Sequence, residues 1–275
     1  MTISELQFVA AAALILVPLE RLAPFHHEQR TLRPGLRVDA LHLLVSGILI
    51  RVGAAATVAV LSYASALAVP EAVHVVIRGQ PGWMQFVQLF VLADFFFYLA
   101  HRLVHRVPWL WRFHAVHHSS EHMDWLATFR VHPVDQILNS TIIAVPAAAL
   151  GFSSGPLLVY ALVYRVHALL LHSNVNAPLG PLERVFASPR YHHWHHADER
   201  HAYDRNFGGQ LVIWDHMFDT WHEPHGRPAK YGVGGTMPAG YIQQLLAPFR
   251  PKPRRRRQSV VLSNRPVDSS TSVSV

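Results

Sequence analysis

The stretch from Asp94 to Ser119 reads DFFFYLAHRLVHRVPWLWRFHAVHHS, and it decides how the rest of the chain is read. Its first seven residues close an apolar run beginning at Trp83, close to the roughly 20 residues that a membrane-crossing helix needs. His101 and His105 follow immediately, four apart, so that on a continuing helix they share one face at the membrane boundary. His114, His117 and His118 repeat the theme at i, i+3 and i+4. About seventy residues later, His192, His195 and His196 restore that spacing. A single cluster of this kind is commonplace at a surface. Three with related spacings imply imidazoles aimed at common points, the arrangement that transition metals require. Eight imidazoles exceed the coordination of one ion, so the pattern calls for two.

Working outward, the composition agrees. Of 275 residues 51% are apolar and 15% charged, with a mean hydropathy of +0.17; soluble domains carry roughly 25% charge. No cysteine is present, which removes disulfides, thiolate-held iron–sulfur clusters, cysteine zinc sites and a cysteine nucleophile. The 21 histidines must therefore supply any nitrogen-based metal chemistry. Other apolar runs lie at Phe8–Leu19, Ala40–Val69 and Gln136–His172. The first lacks a basic leader and a small-residue cleavage site and reads as a retained anchor. Within the second, Arg51 is expected to snorkel to the interface. Breaks around Pro146, Gly151, Gly155 and Pro156 make the last a helical hairpin, with arms short for a full crossing.

The expected fold is all-α: a polytopic membrane bundle of about four spans or hairpin arms, capped by a helical, histidine-rich di-metal domain. Residues 1–82 would form the N-terminal membrane anchor, 83–250 the histidine-box membrane domain and 251–275 a disordered basic tail containing Arg254 to Arg257. Arg21, Arg30, Arg33 and Arg37 follow the first span, and Arg102, Arg106, Arg112 and Arg130 follow the third, against Arg78 alone on the other side. The positive-inside bias then places every histidine cluster on the cytoplasmic side of a multi-pass protein. Formal charge is +7, but no aromatic-basic platform or recognition helix accompanies it, so nucleic acid is not an expected partner.

The order Asp94, Tyr98, His101-Arg102, His105, His114-x-x-His117-His118-Ser119, Ser188-Pro189, His192-x-x-His195-His196 and Asn206-Phe207-Gly208 resembles the fatty acid hydroxylase / sterol desaturase superfamily over about Phe90 to Trp221. The resemblance implies two iron ions forming a non-haem centre that uses O2 and external electrons to hydroxylate or desaturate a lipid such as a fatty acyl chain or sterol. It brings His172 into the metal set and gives Asp94 and Asn206 catalytic positions. His167 is a further candidate, but at five residues from His172 it stands about 140° around a helix. His132 fits a structural place beside the ligands. His193 would point behind the site or outward. Asp219 departs from the family, which commonly has Gly there.

Metal-bound imidazoles usually donate their free N–H to a carboxylate or carbonyl; Asp94, Asp124, Asp198 and Asp204 are the carboxylates considered, Asp94 standing seven residues before His101 on the same face. No dinucleotide fingerprint is present, so electrons would come from a ferredoxin or a cytochrome with its reductase, with Arg102, Arg106 and Arg112 as a docking face. The alternative from another class is a zinc-dependent membrane hydrolase acting on lipid esters or amides. Zinc is also a possible occupant of recombinant material, because divalent affinities favour it over iron.

Overall fold

The computed structural model describes residues 3–222, 224, 226–234 and 237–250. The tail expected at 251–275, and His225, lie outside them. Helices account for all the regular structure among the described residues: α1 (Ile3–Leu22), α2 (Leu36–Leu41) passing through a π-helical turn (His42–Ser46) into α3 (Gly47–Ala66), α4 (Glu71–Arg78), α5 (Gly82–Arg106), α6 (Pro108–His114), α7 (Pro133–Ala149), α8 (Ser154–His172), α9 (Pro189–His195), α10 (Ile213–Met217) and α11 (Tyr241–Leu246). Pairing is limited to isolated bridges such as Phe186 with Leu211.

Among the described residues four helices are long and apolar enough to cross a membrane: α1, the continuous α2–α3 rod over Leu36–Ala64, α5 and α8, the last correcting the expectation that both hairpin arms fall short. At 17 residues α7 rises about 26 Å, short of the roughly 30 Å hydrocarbon core. It packs against both α3 and α5, and α8 packs against α5 as well. Water exclusion gives no drive between helices in lipid, so close approach depends on small residues. Ala93 of α5 and Ala147 of α7 sit with Leu89, Phe152 and Tyr160 in the main apolar cluster. Gly53 of α3 lies directly against Ile137 of α7, leaving no room for a Cβ.

The hairpin is narrower at its break than the sequence suggests. Pro146 stays inside α7, and Pro156 falls in the first turn of α8, where its missing N–H has no helical acceptor to lose. The turn is made at Gly151, whose φ of +76° is open to glycine at no steric cost. A short amphipathic helix, α4, braces that end: His74 Nε2 donates to Ala149 O at 2.8 Å and Arg78 Nε to Gly151 O at 3.3 Å.

All the histidine clusters lie at the opposite end. Ala23 O accepts from Asn176 N at 2.7 Å and Asn174 O from Phe25 N at 2.9 Å, tying the end of α1 to the end of α8. Glu20 adds a carboxylate oxygen that accepts from both Trp125 N (2.8 Å) and Asn174 N (3.0 Å). Helix α5, with 25 residues, is about 37 Å long, so its last turns carry His101 and His105 past the hydrocarbon.

Two arginines counted as surface charge are internal. Arg33 Nε and Nη2 grip both oxygens of Asp124 at 2.6 Å, Nη2 also reaches Asp39 at 2.6 Å, and Arg130 pairs with Asp39. All four residues are at most 6% exposed. The network fastens the α1–α2 connection to the loop that carries His117 and His118. Arg51 does not snorkel: it pairs with Glu5 of α1 across the bundle.

Candidate metal centre

One ring nitrogen from each of His101, His105, His114, His118 and His195 converges within 4.8 Å of the others, and so do single nitrogens of His117, His172, His192 and His196. Four separate segments build these groups: the end of α5, α6 with the following turn, the end of α8, and α9. Eight of the nine residues are buried and His105 is partly so. His172, brought in by family resemblance, takes its place in the second group. His167 does not join either; its Nε2 donates to Ala187 O at 2.9 Å.

The hydrogen bonds fix the tautomers. Nδ1 of His101 faces Phe207 O (2.9 Å), of His117 Arg130 O (3.2 Å), of His172 Ala168 O (2.8 Å) and of His195 Arg205 O (2.8 Å), while that of His114 faces Asp135 Oδ2 (3.0 Å). Oxygens of this kind only accept, so each Nδ1 carries the proton and each Nε2 a bare lone pair. Yet Nε2 of His101 lies 3.2 Å from Nε2 of His114, and Nε2 of His172 lies 3.1 Å from Nε2 of His117. Two lone pairs cannot hydrogen-bond to each other. His105 Nε2, His195 Nε2, His192 Nδ1 and His196 Nδ1 are buried with no partner at all. Protonation does not resolve this, because burial holds His117, His118, His192 and His196 well below the usual imidazole range and His195 at about 3, with neighbouring imidazoles adding to the effect. A cation between the rings satisfies the inward-facing Nε2 atoms, those of His105 and His195 included, and the donor set fits a metal ion in each group; His192 and His196 also turn Nε2 inward, which leaves their Nδ1 atoms on the far side of the ring.

The four carboxylates singled out from sequence are placed differently. Asp94 reaches no imidazole; its oxygens accept from Gln210 N (2.7 Å), Leu211 N (3.0 Å) and Trp214 Nε1 (2.9 Å). Helical phase put it on His101's face, but a loop arriving from over a hundred residues away claims the carboxylate first. Asp124 serves Arg33 and caps a 3-10 turn through Leu126 N and Ala127 N. Asp198 pairs with Lys230 at the surface. Asp204 does approach His105, at 3.5 Å. The carboxylate that the sequence reading passed over is Asp135, in the first turn of α7 behind His132 and Pro133. An acid at the mouth of an apolar helix was the available signal.

Asn206 is fully buried and left-handed, with φ of +59°. Its amide donates to Tyr191 O (2.9 Å) and His222 O (2.6 Å) and accepts from His222 N (2.7 Å). The carbonyls on either side of it, Arg205 O and Phe207 O, are those that hold His195 and His101. Asp219 shares the left-handed conformation, φ +54°, which accounts for glycine being common there and for aspartate being tolerated. His132 caps α7, accepting from Val134 N and donating to Leu245 O. His193 is fully buried, not outward: Nδ1 meets Tyr231 Oη at 2.7 Å and Nε2 donates to Ser173 O at 3.0 Å.

A cavity of about 610 Å³ opens from the histidines into the bundle, within the range of small-molecule sites. His101, His114, His117, His172 and His192 form its head, and Ile143, Ala147, Leu157 and Leu89 line its depth. From Asp135 to Ala147 along α7 it runs about 18 Å.

Comparison with known proteins agrees with this geometry. The fatty acid hydroxylase family profile matches residues 86–220. Over 180 residues the chain is 38% identical to ornithine lipid hydroxylase OlsE of Rhizobium tropici, covering 64% of this chain and 53% of that protein. It is 34% identical over 163 residues to the alkylglycerol monooxygenase of Homo sapiens (58% of this chain, 35% of that one) and 32% over 143 residues to that of Caenorhabditis elegans (51% and 28%). The chain thus spans about half the length of the first and about a third of the others. No solved structure matches it.

Proposed function

Residues 86–220 belong to the fatty acid hydroxylase family, and on that premise we propose that the chain is a multi-pass membrane oxygenase that hydroxylates a lipid at a di-iron centre. The observation that carries this reading is the meeting of two sets of bare imidazole nitrogens with the head of an elongated apolar cavity. The five residues of the first group and the four of the second would hold one iron each. When bound, the pair would supply the activation of O2 that an unactivated C–H bond demands, in the overall balance RH + O2 + 2 electrons + 2 protons giving ROH + H2O.

The protein's own part is to orient and to exclude water. The carbonyls of Phe207, Arg205, Arg130 and Ala168, with the Asp135 carboxylate, keep five rings in the Nδ1–H form and turn their lone pairs inward. Asp94 and Asn206 act at one remove, as positioning residues for the 205–214 loop. The cavity receives one hydrocarbon chain and sets which carbon meets the histidines. Removal of a second hydrogen in place of hydroxyl transfer would give an alkene from the same site.

The relatives named for ornithine lipid and alkylglycerol chemistry support a membrane lipid as substrate. With Arg33 and Arg130 set aside as internal, Arg21, Arg30, Arg37, Arg102, Arg106 and Arg112 remain at the histidine end against Arg78 at the other, which favours the cytoplasm for the site. Electrons come from an external carrier protein. Purified protein reconstituted with iron is expected to hold about two irons per chain and to add one oxygen atom to a cellular lipid, read by mass spectrometry of cells with and without the active gene. Zinc alone after iron reconstitution, with no O2 consumption and with lipid ester or amide cleavage, would replace this reading by a hydrolase.

A further inference from the structure

The two histidine groups are not equivalent in what surrounds them. The cavity touches three of the four imidazoles of the second group, His117, His172 and His192, but only His101 and His114 of the five in the first. His105, His118 and His195 do not line it. On their side, the indole of Trp111 stands 4.8 Å from the His105 ring and 5.2 Å from the His118 ring, centre to centre. Trp111 is partly exposed. Phe207, the other ring against His105, at 5.1 Å, is 1% exposed, and Phe97 beside His101 lies on the cavity wall. Among the described non-histidine rings within contact of the first group, Trp111 is therefore the one that also meets solvent away from the cavity.

Its setting is basic. Arg112 is its neighbour in α6; Arg102 and Arg106 end α5, one turn apart. Arg106 is exposed and makes no ion pair among the described residues. Arg205, beside Asp204 at His105, joins the rim by donating to Asp219 O. Arg102 lies over Phe218, so it and Arg205 meet at the same turn, where Asp204 and Asp219 are the exposed acids.

We propose that Trp111 is the point of electron delivery, bridging the first histidine group to an acidic one-electron carrier protein docked on Arg102, Arg106, Arg112 and Arg205. The inference rests on the oxygenase reading and assigns its two groups unequal tasks: the first accepts electrons from outside, the second faces the substrate chain. Tunnelling rates fall exponentially with the gap between donor and acceptor, so a ring in contact with both ligands and solvent shortens the path, and a positive rim raises the encounter rate with an acidic partner. Each turnover oxidises two carrier molecules by one electron apiece, and the two protons come from water.

The test uses the full chain in lipid nanodiscs, loaded with iron, with reduced acidic [2Fe–2S] ferredoxin as the probe and dithionite as a small reductant that needs no docking. Carrier oxidation is followed anaerobically by stopped flow; carrier binding is measured separately on metal-free protein. Arg106→Glu is expected to weaken ferredoxin binding at low salt about tenfold and to flatten its salt dependence. Trp111→Leu should slow ferredoxin-driven reduction by a similar factor while metal content, ferredoxin affinity and dithionite-driven reduction stay at wild-type levels, and Trp111→Phe should restore much of the rate. Wild-type electron transfer in Trp111→Leu with metal retained overturns the route. Salt-independent binding, unmoved by Arg106→Glu, overturns the docking face. If Trp111→Leu loses metal, the ratio of ferredoxin-driven to dithionite-driven reduction per iron retained decides the route: a fall of about tenfold supports it and a wild-type ratio overturns it. A wild-type protein that binds no iron, or consumes no O2 with dithionite, counts against the oxygenase reading instead.

Discussion

Replacing Asn206 separates a structural turn from a metal-organising one. Its side chain makes three hydrogen bonds in a fully buried place, two donated to Tyr191 O and His222 O and one accepted from His222 N. At about 1 kcal/mol each, their loss in Asn206→Gly costs about 3 kcal/mol, since glycine keeps the left-handed backbone free of strain. Asn206→Ala adds roughly 1 kcal/mol more, because φ of +59° crowds a Cβ. If the residue served only the loop, both variants would lower denaturant midpoints and leave metal stoichiometry alone. The carbonyls flanking it hold His195 and His101, both in the first group, so metal in that group is expected to fall in both variants while the second group keeps its ion. Chemical denaturation in detergent and elemental analysis of the same samples provide the two readouts. Two ions per chain in Asn206→Gly would refute the metal-organising role whatever the midpoint, and a wild-type midpoint would refute the stability arithmetic.

Other perturbations follow from particular contacts. Alanine at His192 or His172 should remove one metal ion per chain and spare the first group, and alanine at His118 should do the reverse, by elemental analysis. Burial lowers the imidazoles of His117, His118, His192, His195 and His196 below the usual 6.5, so the unfolded chain binds more protons than the native one beneath that pH. Metal-free protein should accordingly be most stable above about pH 6.5 and lose up to about 1.4 kcal/mol per pH unit for each such ring as pH falls below it, seen as a dropping midpoint in thermal melts. Arg33→Met strands Asp124 and shares Asp39 with Arg130 alone, a loss of about 3–5 kcal/mol in unfolding measurements. Ile143→Trp fills the cavity below the histidines and should raise KM for long-chain substrates with metal content unchanged.

The metal-binding geometry was largely legible because helical spacing is a local property. His101 with His105, the 114–118 set and the 192–196 set each declare a shared face within one turn, and these eight imidazoles, with His172 brought in by family resemblance, are the nine that the fold gathers. What holds the rings in place was not legible. Their partners are mostly backbone carbonyls, which every residue possesses, so Phe207 O and Arg205 O leave no trace in composition. Asp94 shows the reverse failure: its position seven residues before His101 was read correctly as a helical phase, but which group takes its charge depended on a chain segment beyond any local rule. Arg33 and Arg130 looked like membrane-surface charge because Asp39 and Asp124, which neutralise them, lie up to 91 residues away. The spans themselves were readable to within a turn or two, except that the 83–100 run continues as helix to Arg106, since polar residues outside the hydrocarbon no longer report on it.

Each histidine group draws on chain segments that leave the ribosome far apart: residues 101 to 195 for one, 117 to 196 for the other. No partial translation product can chelate an ion as the finished protein does. If the two groups hold iron as proposed, its supply would act as a checkpoint on assembly as well as on turnover, and cells starved of the element are expected to accumulate a full-length but unstapled polypeptide open to membrane proteases.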